Sequence, residues 1–219
     1  MPVDLITYKQ ILESLGSVVL VAVSKTKPNS DIEALYTAGQ RDFGENYVQE
    51  LVDKQASLPE DIRWHFIGHL QSNKVKYIAS FVHLIHGIDS IKLLQEVNKQ
   101  AIKANRVIDC LLQMHIAQEE TKFGLDEEEL NNILDQLHAF PHVRVRGLMG
   151  MASFTENQEQ VKMEFSLLKH YFDTAKARLA SPEFDTLSMG MSGDYTLAIE
   201  QGSTLVRIGS LLFGARQYQ

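Results

Sequence analysis

The most constraining feature of this 219-residue sequence is an alternation from near its start to its end, in which short apolar or β-branched runs are separated by longer amphipathic stretches. The runs lie at 18–24 (VVLVAVS), 41–44 (RDFG), 63–67 (RWHFI), 82–86 (VHLIH), 107–116 (VIDCLLQMHI), 143–149 (VRVRGLM), 185–189 (DTLSM) and 204–208 (TLVRI), giving eight candidate strands. Helix-like stretches occupy 4–14, 30–38, 46–56, 72–80, 90–105, 126–138, 155–180 and 194–201, several opened by Ser, Thr, Asn or Asp as caps. The stretch 90–105 sets Ile91, Leu94, Val97, Ala101 and Ile102 on one stripe, as a helix covering a sheet requires.

Repeated strand-then-helix units demand parallel pairing, because each crossover helix carries the chain back to the same edge. Eight units predict an α/β fold, a closed (β/α)8 TIM-type barrel preceded by an extra N-terminal helix. The runs at 41–44 and 185–189 are short, so an open sheet of six or seven strands also fits the pattern. No Pro- or Gly-rich linker divides the chain, which predicts one domain over 1–219. No apolar run approaches the roughly 20 residues needed to cross a bilayer, and the opening residues lack the pattern of a secretory signal. The expectation is a cytoplasmic monomer without membrane contact. Cys110, the single cysteine, sits in an apolar run that reads as a buried strand. A net charge of −7, from 28 acidic and 21 basic residues, gives no reason to expect nucleic acid as a partner.

In such a barrel the strand ends converge on one rim, where sites are built. Lys25 shares side-chain parity with Val19, Val21 and Val23, so its stem would be enclosed by the barrel mouth. Partial desolvation favours the neutral amine and nucleophilic attack on a carbonyl. Lys27, beside Pro28, is the weaker candidate. The segments 188–193 (SMGMSG) and 207–210 (RIGS) follow strands seven and eight, the usual phosphate station, where Ser192, Gly209 and Ser210 offer a hydroxyl and main-chain donors. Arg207 lies between Val206 and Ile208 and needs either a ligand or a carboxylate such as Glu45 or Glu200. His65, His69 and His86 fall on neighbouring strand ends, but lack the spacing and converging carboxylate of a zinc site, so no metal is expected.

Taken together, AVSKTKP at 22–28, FGENYVQE at 43–50, WHFIGHLQSNK at 64–74, HGID at 86–89, TKFG at 121–124, GLMGM at 147–151, LSMGMSGD at 187–194 and VRIGSLLFG at 206–214 resemble the pyridoxal phosphate homeostasis protein family, whose barrel is similar to the fold type III domain of alanine racemase. The resemblance implies pyridoxal 5'-phosphate as cofactor, joined to Lys25 as a covalent aldimine. It also implies Asn46 against the ring side, His65 near the ring or its support, Ser192 with Gly209 and Ser210 on the phosphate, and Arg207 facing the pyridine nitrogen. Arginine donates to that nitrogen without protonating it, which weakens the ring as an electron sink. The sequence ends at Gln219, soon after the last barrel unit, where related racemases continue into a domain that supplies an opposing tyrosine. Tyr47 and Tyr195 read as packing. The function implied is cofactor holding and vitamin B6 homeostasis with little or no classical catalysis, cofactor-requiring enzymes being possible partners. An amino-acid racemase and a Schiff-base aldolase acting on a sugar phosphate are the alternatives.

Overall fold

The computed structural model describes residues 3–118 and 123–214. Its eight strands are β1 (Val19–Val23), β2 (Asp42–Glu45), β3 (Arg63–Phe66), β4 (Leu84–Ile88), β5 (Ile108–Gln113), β6 (Val143–Met149), β7 (Thr186–Ser188) and β8 (Leu205–Ile208). They pair in parallel in chain order, and β8 closes on β1, so the sheet is a barrel and the open-sheet alternative is excluded. The two short runs are strands after all. Three or four residues suffice because both neighbours supply hydrogen bonds in a closed sheet.

The described helices are α1 (Leu5–Leu15), α2 (Asn29–Thr37), α3 (Val48–Ser57), α4 (Val75–Ile78), α5 (Ile91–Lys103), α6 (Glu127–Gln136), α7 (Gln158–Leu179), α8 (Tyr195–Glu200) and α9 (Ser210–Phe213). Local chemistry starts several of them. Asp4 accepts from Ile6 N and Thr7 N, Ser90 accepts from Leu93 N, and Asp126 with Glu129 makes a reciprocal capping box. Part of the TKFG block, Thr121 and Lys122, lies outside the described residues. No helix among the described residues is long and apolar enough to cross a membrane.

The packing has two layers. A large apolar cluster fills the space between barrel and helices, with Phe43, Trp64, Ile85, Cys110 and Leu148 facing outward from the strands. There α5 buries Leu93, Leu94, Val97 and Ala101, each large side chain contributing about 1.5–3 kcal/mol. Ile102, expected on that stripe, is exposed, and Leu93, on the other edge of the buried face, is buried. The barrel interior holds a second, small apolar cluster of Val21, Leu84, Leu111, Met149 and Leu205. Its other buried occupants are polar: Asp42, His65, His86, Ser188 and Arg207. Barrels of this type usually fill the interior with branched apolar side chains, so a polar spine here calls for a separate account.

Candidate cofactor site at the C-terminal mouth

Lys25 follows the C-terminal end of β1 in a turn closed by Lys27 N donating to Ser24 O at 3.0 Å. Thr26 adopts φ +63°, the left-handed region that a turn of this shape needs and that a β-branched residue enters only under constraint. Helix α3 supplies the constraint. Glu50 Oε1 accepts from Thr26 N at 2.6 Å. Lys54 Nζ donates to Ser24 O at 2.8 Å, to Glu45 Oε1 at 2.8 Å and to Glu50 Oε1 at 2.7 Å. The Ser24 hydroxyl completes the group on Glu45 Oε1 at 2.6 Å. Burial pushes the Glu45 carboxyl pKa up, and the Lys54 ammonium opposes the rise. Lys25 is therefore carried on a turn braced on both sides, with its own side chain partly buried and engaged. Lys27, the weaker candidate, points elsewhere: its Nζ donates to Phe213 O at 2.8 Å and so ties the loop to α9.

Arg207 pairs in register with Val21 of β1 and is 4% exposed. Neither Glu45 nor Glu200 is its partner. Glu45 lies outside the barrel with Lys54, and Arg207 NH1 donates instead to Ser188 O at 2.9 Å and Ser188 Oγ at 2.6 Å, with NH2 reaching Gly150 O at 3.1 Å. Burial among neutral groups brings its pKa down to about 10, against a raising pull from Asp194. Two residues on, Gly209 lies against β1, where a Cβ would stand 3.3 Å from Val23 Cβ. Its N–H donates to Ser192 Oγ at 3.2 Å, which brings the two small-residue loops together beside the Lys25 turn. Ser210 opens α9 and is exposed. Asn46, just beyond β2, backs onto Gly68, where a Cβ would fall 2.4 Å from Asn46 O, and its buried Oδ1 has no partner among the described residues.

The histidines are arranged differently from the strand-end placement expected of them. His65 and His86 are mid-strand and buried in the barrel, His65 Nδ1 lying 2.9 Å from His86 Nε2 and His65 Nε2 2.9 Å from Asp42 Oδ1. His65 thus lines the opposite, N-terminal mouth, in a cavity of about 200 Å³ with Asp42, Arg63 and His83. His69 is on the surface, paired with Asp89 at 3.1 Å and stacked on Phe123. The three therefore do not converge on a common point. Asp42, His65 and His83 do cluster within 4.8 Å, but Arg63 Nε and NH2 already hold the two Asp42 oxygens at 2.7 and 2.5 Å. That arrangement already carries its own cation, since the Asp42 carboxylate is ion-paired to Arg63.

The family model described as alanine racemase, N-terminal domain, matches residues 7–217. The protein named pyridoxal phosphate homeostasis protein in Vibrio alginolyticus is 44% identical over 207 residues, covering 92% of this chain and 88% of the relative. Its namesake in Aquifex aeolicus is 43% identical over 200 residues, covering 91% and 87%. The chain belongs to the pyridoxal phosphate homeostasis protein family. Among solved structures, PipY of Synechococcus elongatus PCC7942 with PLP bound matches at a TM-score of 0.88 and 35% identity, covering 95% of this chain and 98% of that one. Alanine racemase from Bartonella henselae matches at a TM-score of 0.74 and 20% identity over 57% of its own length, a likeness of fold alone.

Within this family frame, the C-terminal mouth gathers Lys25, Asn46, Ser192, Arg207, Gly209 and Ser210, and leaves His65 at the other end of the barrel. Sequence reasoning missed Ser188, the direct support of Arg207, and the Glu45–Glu50–Lys54 brace behind Lys25. The i, i+4 spacing of Glu50 and Lys54 was a legible helix pair. That both groups would turn inward onto the Lys25 loop was not.

Proposed function

We propose that the chain, as a single monomeric barrel over 1–219, binds pyridoxal phosphate at its C-terminal mouth and holds it as a Schiff base on Lys25, in the service of intracellular cofactor homeostasis. Family classification is that of a homeostasis protein rather than a classical enzyme. The single observation that carries the reading is a fully buried arginine, hydrogen-bonded to Ser188 and to the Gly150 carbonyl with guanidinium N–H groups to spare, at the same mouth as the braced lysine. Bound there, the cofactor supplies an aldehyde for an amine, a phosphate for donors and a ring nitrogen that accepts a hydrogen bond. The residues present fit each demand. Lys25 provides the amine; Ser192, Gly209 and Ser210 line the phosphate end; Arg207 has guanidinium N–H groups beyond those used on Ser188 and Gly150; and the orphaned Asn46 Oδ1 is an acceptor in need of a donor.

Arg207, placed to meet the ring nitrogen, would keep its own proton and donate a hydrogen bond, which would favour holding the cofactor over driving carbanion chemistry on it. Cofactor-requiring enzymes in the cytoplasm are the recipients that such a store would serve. The test is borohydride reduction of the pyridoxal phosphate-loaded protein followed by peptide mass mapping. The wild-type chain is expected to carry the reduced adduct on Lys25, and Lys25→Ala to carry none. The same adduct retained in Lys25→Ala would overturn the assignment.

A further inference from the structure

The polar spine of the barrel interior is continuous. From Arg207 it runs through Ser188 Oγ (2.6 Å from NH1), His86 Nδ1 (3.0 Å from Ser188 Oγ), His86 Nε2 to His65 Nδ1 (2.9 Å) and His65 Nε2 to Asp42 Oδ1 (2.9 Å). Five strands contribute one residue each: β8, β7, β4, β3 and β2. With one proton on each imidazole, the direction of every link follows from its two ends. Arginine can only donate, so Ser188 Oγ accepts from it and its own hydrogen goes to His86 Nδ1. His86 then carries its proton on Nε2 and donates to His65 Nδ1, and His65 carries its proton on Nε2 and donates to the Asp42 carboxylate. Both imidazoles are neutral in this arrangement. Burial agrees, holding His86 well below the ordinary imidazole range.

We propose that Asp42, His65, His86 and Ser188 are positioning residues for Arg207, a single directional wire that fixes the guanidinium at the ring-nitrogen end of the cofactor pocket and makes that end sensitive to protonation at the opposite mouth. The proposal rests on the cofactor reading above. His65 sits where the N-terminal mouth opens, facing Asp42 and Arg63 from β2 and β3, with the His83 ring centroid 5.3 Å away and Asp109 and Arg146, paired to one another, on the same cavity wall. On the other side it meets His86, and beyond Ser188 the chain reaches Arg207, under the pull of Asp194. One proton gained at His65 places N–H on both of its nitrogens. His86 must then shift its proton from Nε2 to Nδ1, and the Ser188 hydroxyl must rotate away, so that Ser188 Oγ faces two donors at once, His86 Nδ1–H and Arg207 NH1. The net change is one proton taken up at the mouth, with Arg207 losing the exclusive use of its acceptor.

Two measurements test this. Imidazole-nitrogen NMR of the cofactor-free protein above the usual histidine titration range should find His65 and His86 both neutral with the proton on Nε2; an Nδ1–H tautomer at His86 would break the wire outright. In pyridoxal phosphate-loaded protein, the visible absorbance should then show a step at the pH where the His65 resonances titrate. Ser188→Ala and His86→Gln, compared at equal borohydride-trapped adduct, should each lose that step. A step unchanged in both variants, or no step in adduct-bearing wild-type protein, refutes the coupling. Failure to trap any adduct in the wild type refutes the cofactor reading itself, and is recognised separately because the tautomers are read without cofactor.

Discussion

Lys54 shows how much a single buried side chain does for the proposed site. Its ammonium satisfies a main-chain carbonyl beside Lys25 and two carboxylates, one of them Glu45 with no exposure at all. Taking a carboxylate out of water is costly, and the pair as a whole need not stabilise the fold. Removing one partner is another matter, because Glu45 would be left charged and unmatched, a loss of about 3–5 kcal/mol. Lys54→Met is therefore expected to lower the urea midpoint strongly. The Lys54→Met, Glu45→Gln double variant should recover part of the loss, since the amide carries no charge to strand. Equal losses in single and double variants would show that the cost comes from packing and not from the stranded carboxylate.

At the scale of the element, β6 carries a bulge where it pairs with β5. Cys110 pairs with Val145 but Leu111 with Gly147, so Arg146 is the extra residue. Its side chain, on the wall of the N-terminal mouth, bridges Asp109 and Asp185. Gly147 follows with φ +153°, and a Cβ there would stand 1.8 Å from Thr186 O of β7. Because the obstacle is backbone, it cannot yield by a rotamer change. Gly147→Ala should destabilise the chain by about 2 kcal/mol or more, read as a lower denaturation midpoint; a loss of a few tenths would mean that the β6–β7 ladder shifts freely. What was legible in the sequence follows the same divide between local and cross-strand information. The alternation of runs gave all eight strands and set Lys25 just past the end of β1, because both are properties of consecutive residues. The depth of His65 and His86 was misjudged because it depends on where neighbouring strands stand in register, and the partner of Arg207 because Ser188 is 19 residues away on β7. Ile102 went wrong for a smaller reason: it sits at one edge of the α5 stripe, and the buried face is turned toward the other edge, where Leu93 lies.

For the molecule as a whole, the interior spine ties stability to pH. His86 is buried and its folded pKa lies well below the ordinary value, chiefly through desolvation. The unfolded chain takes up a proton on this residue below about pH 6.5, and the folded chain does not. Its contribution is thus fully present above that pH and is lost as the pH falls toward the folded pKa. The slope is at most about 1.4 kcal/mol per pH unit for one proton. His83 is lowered in the same direction by its own burial, which adds to the trend. Asp42 acts in a different window. Burial raises it, but the hydrogen bonds from Arg63 and His65 outweigh burial and hold it far below the usual carboxylate range, so its contribution disappears only below about pH 4. Glu45 works in the opposite sense, since its folded pKa is raised and acidification relieves the cost of its buried charge. Between neutrality and about pH 5.5 the histidines dominate, so unfolding free energy from urea titrations should fall with acidification across that range. His86→Gln, which cannot take up the proton in either state, should show a shallower dependence than the wild type. If the two slopes coincide, the neutral imidazole at the centre of the barrel contributes nothing to the acid sensitivity, and His83 must account for it alone.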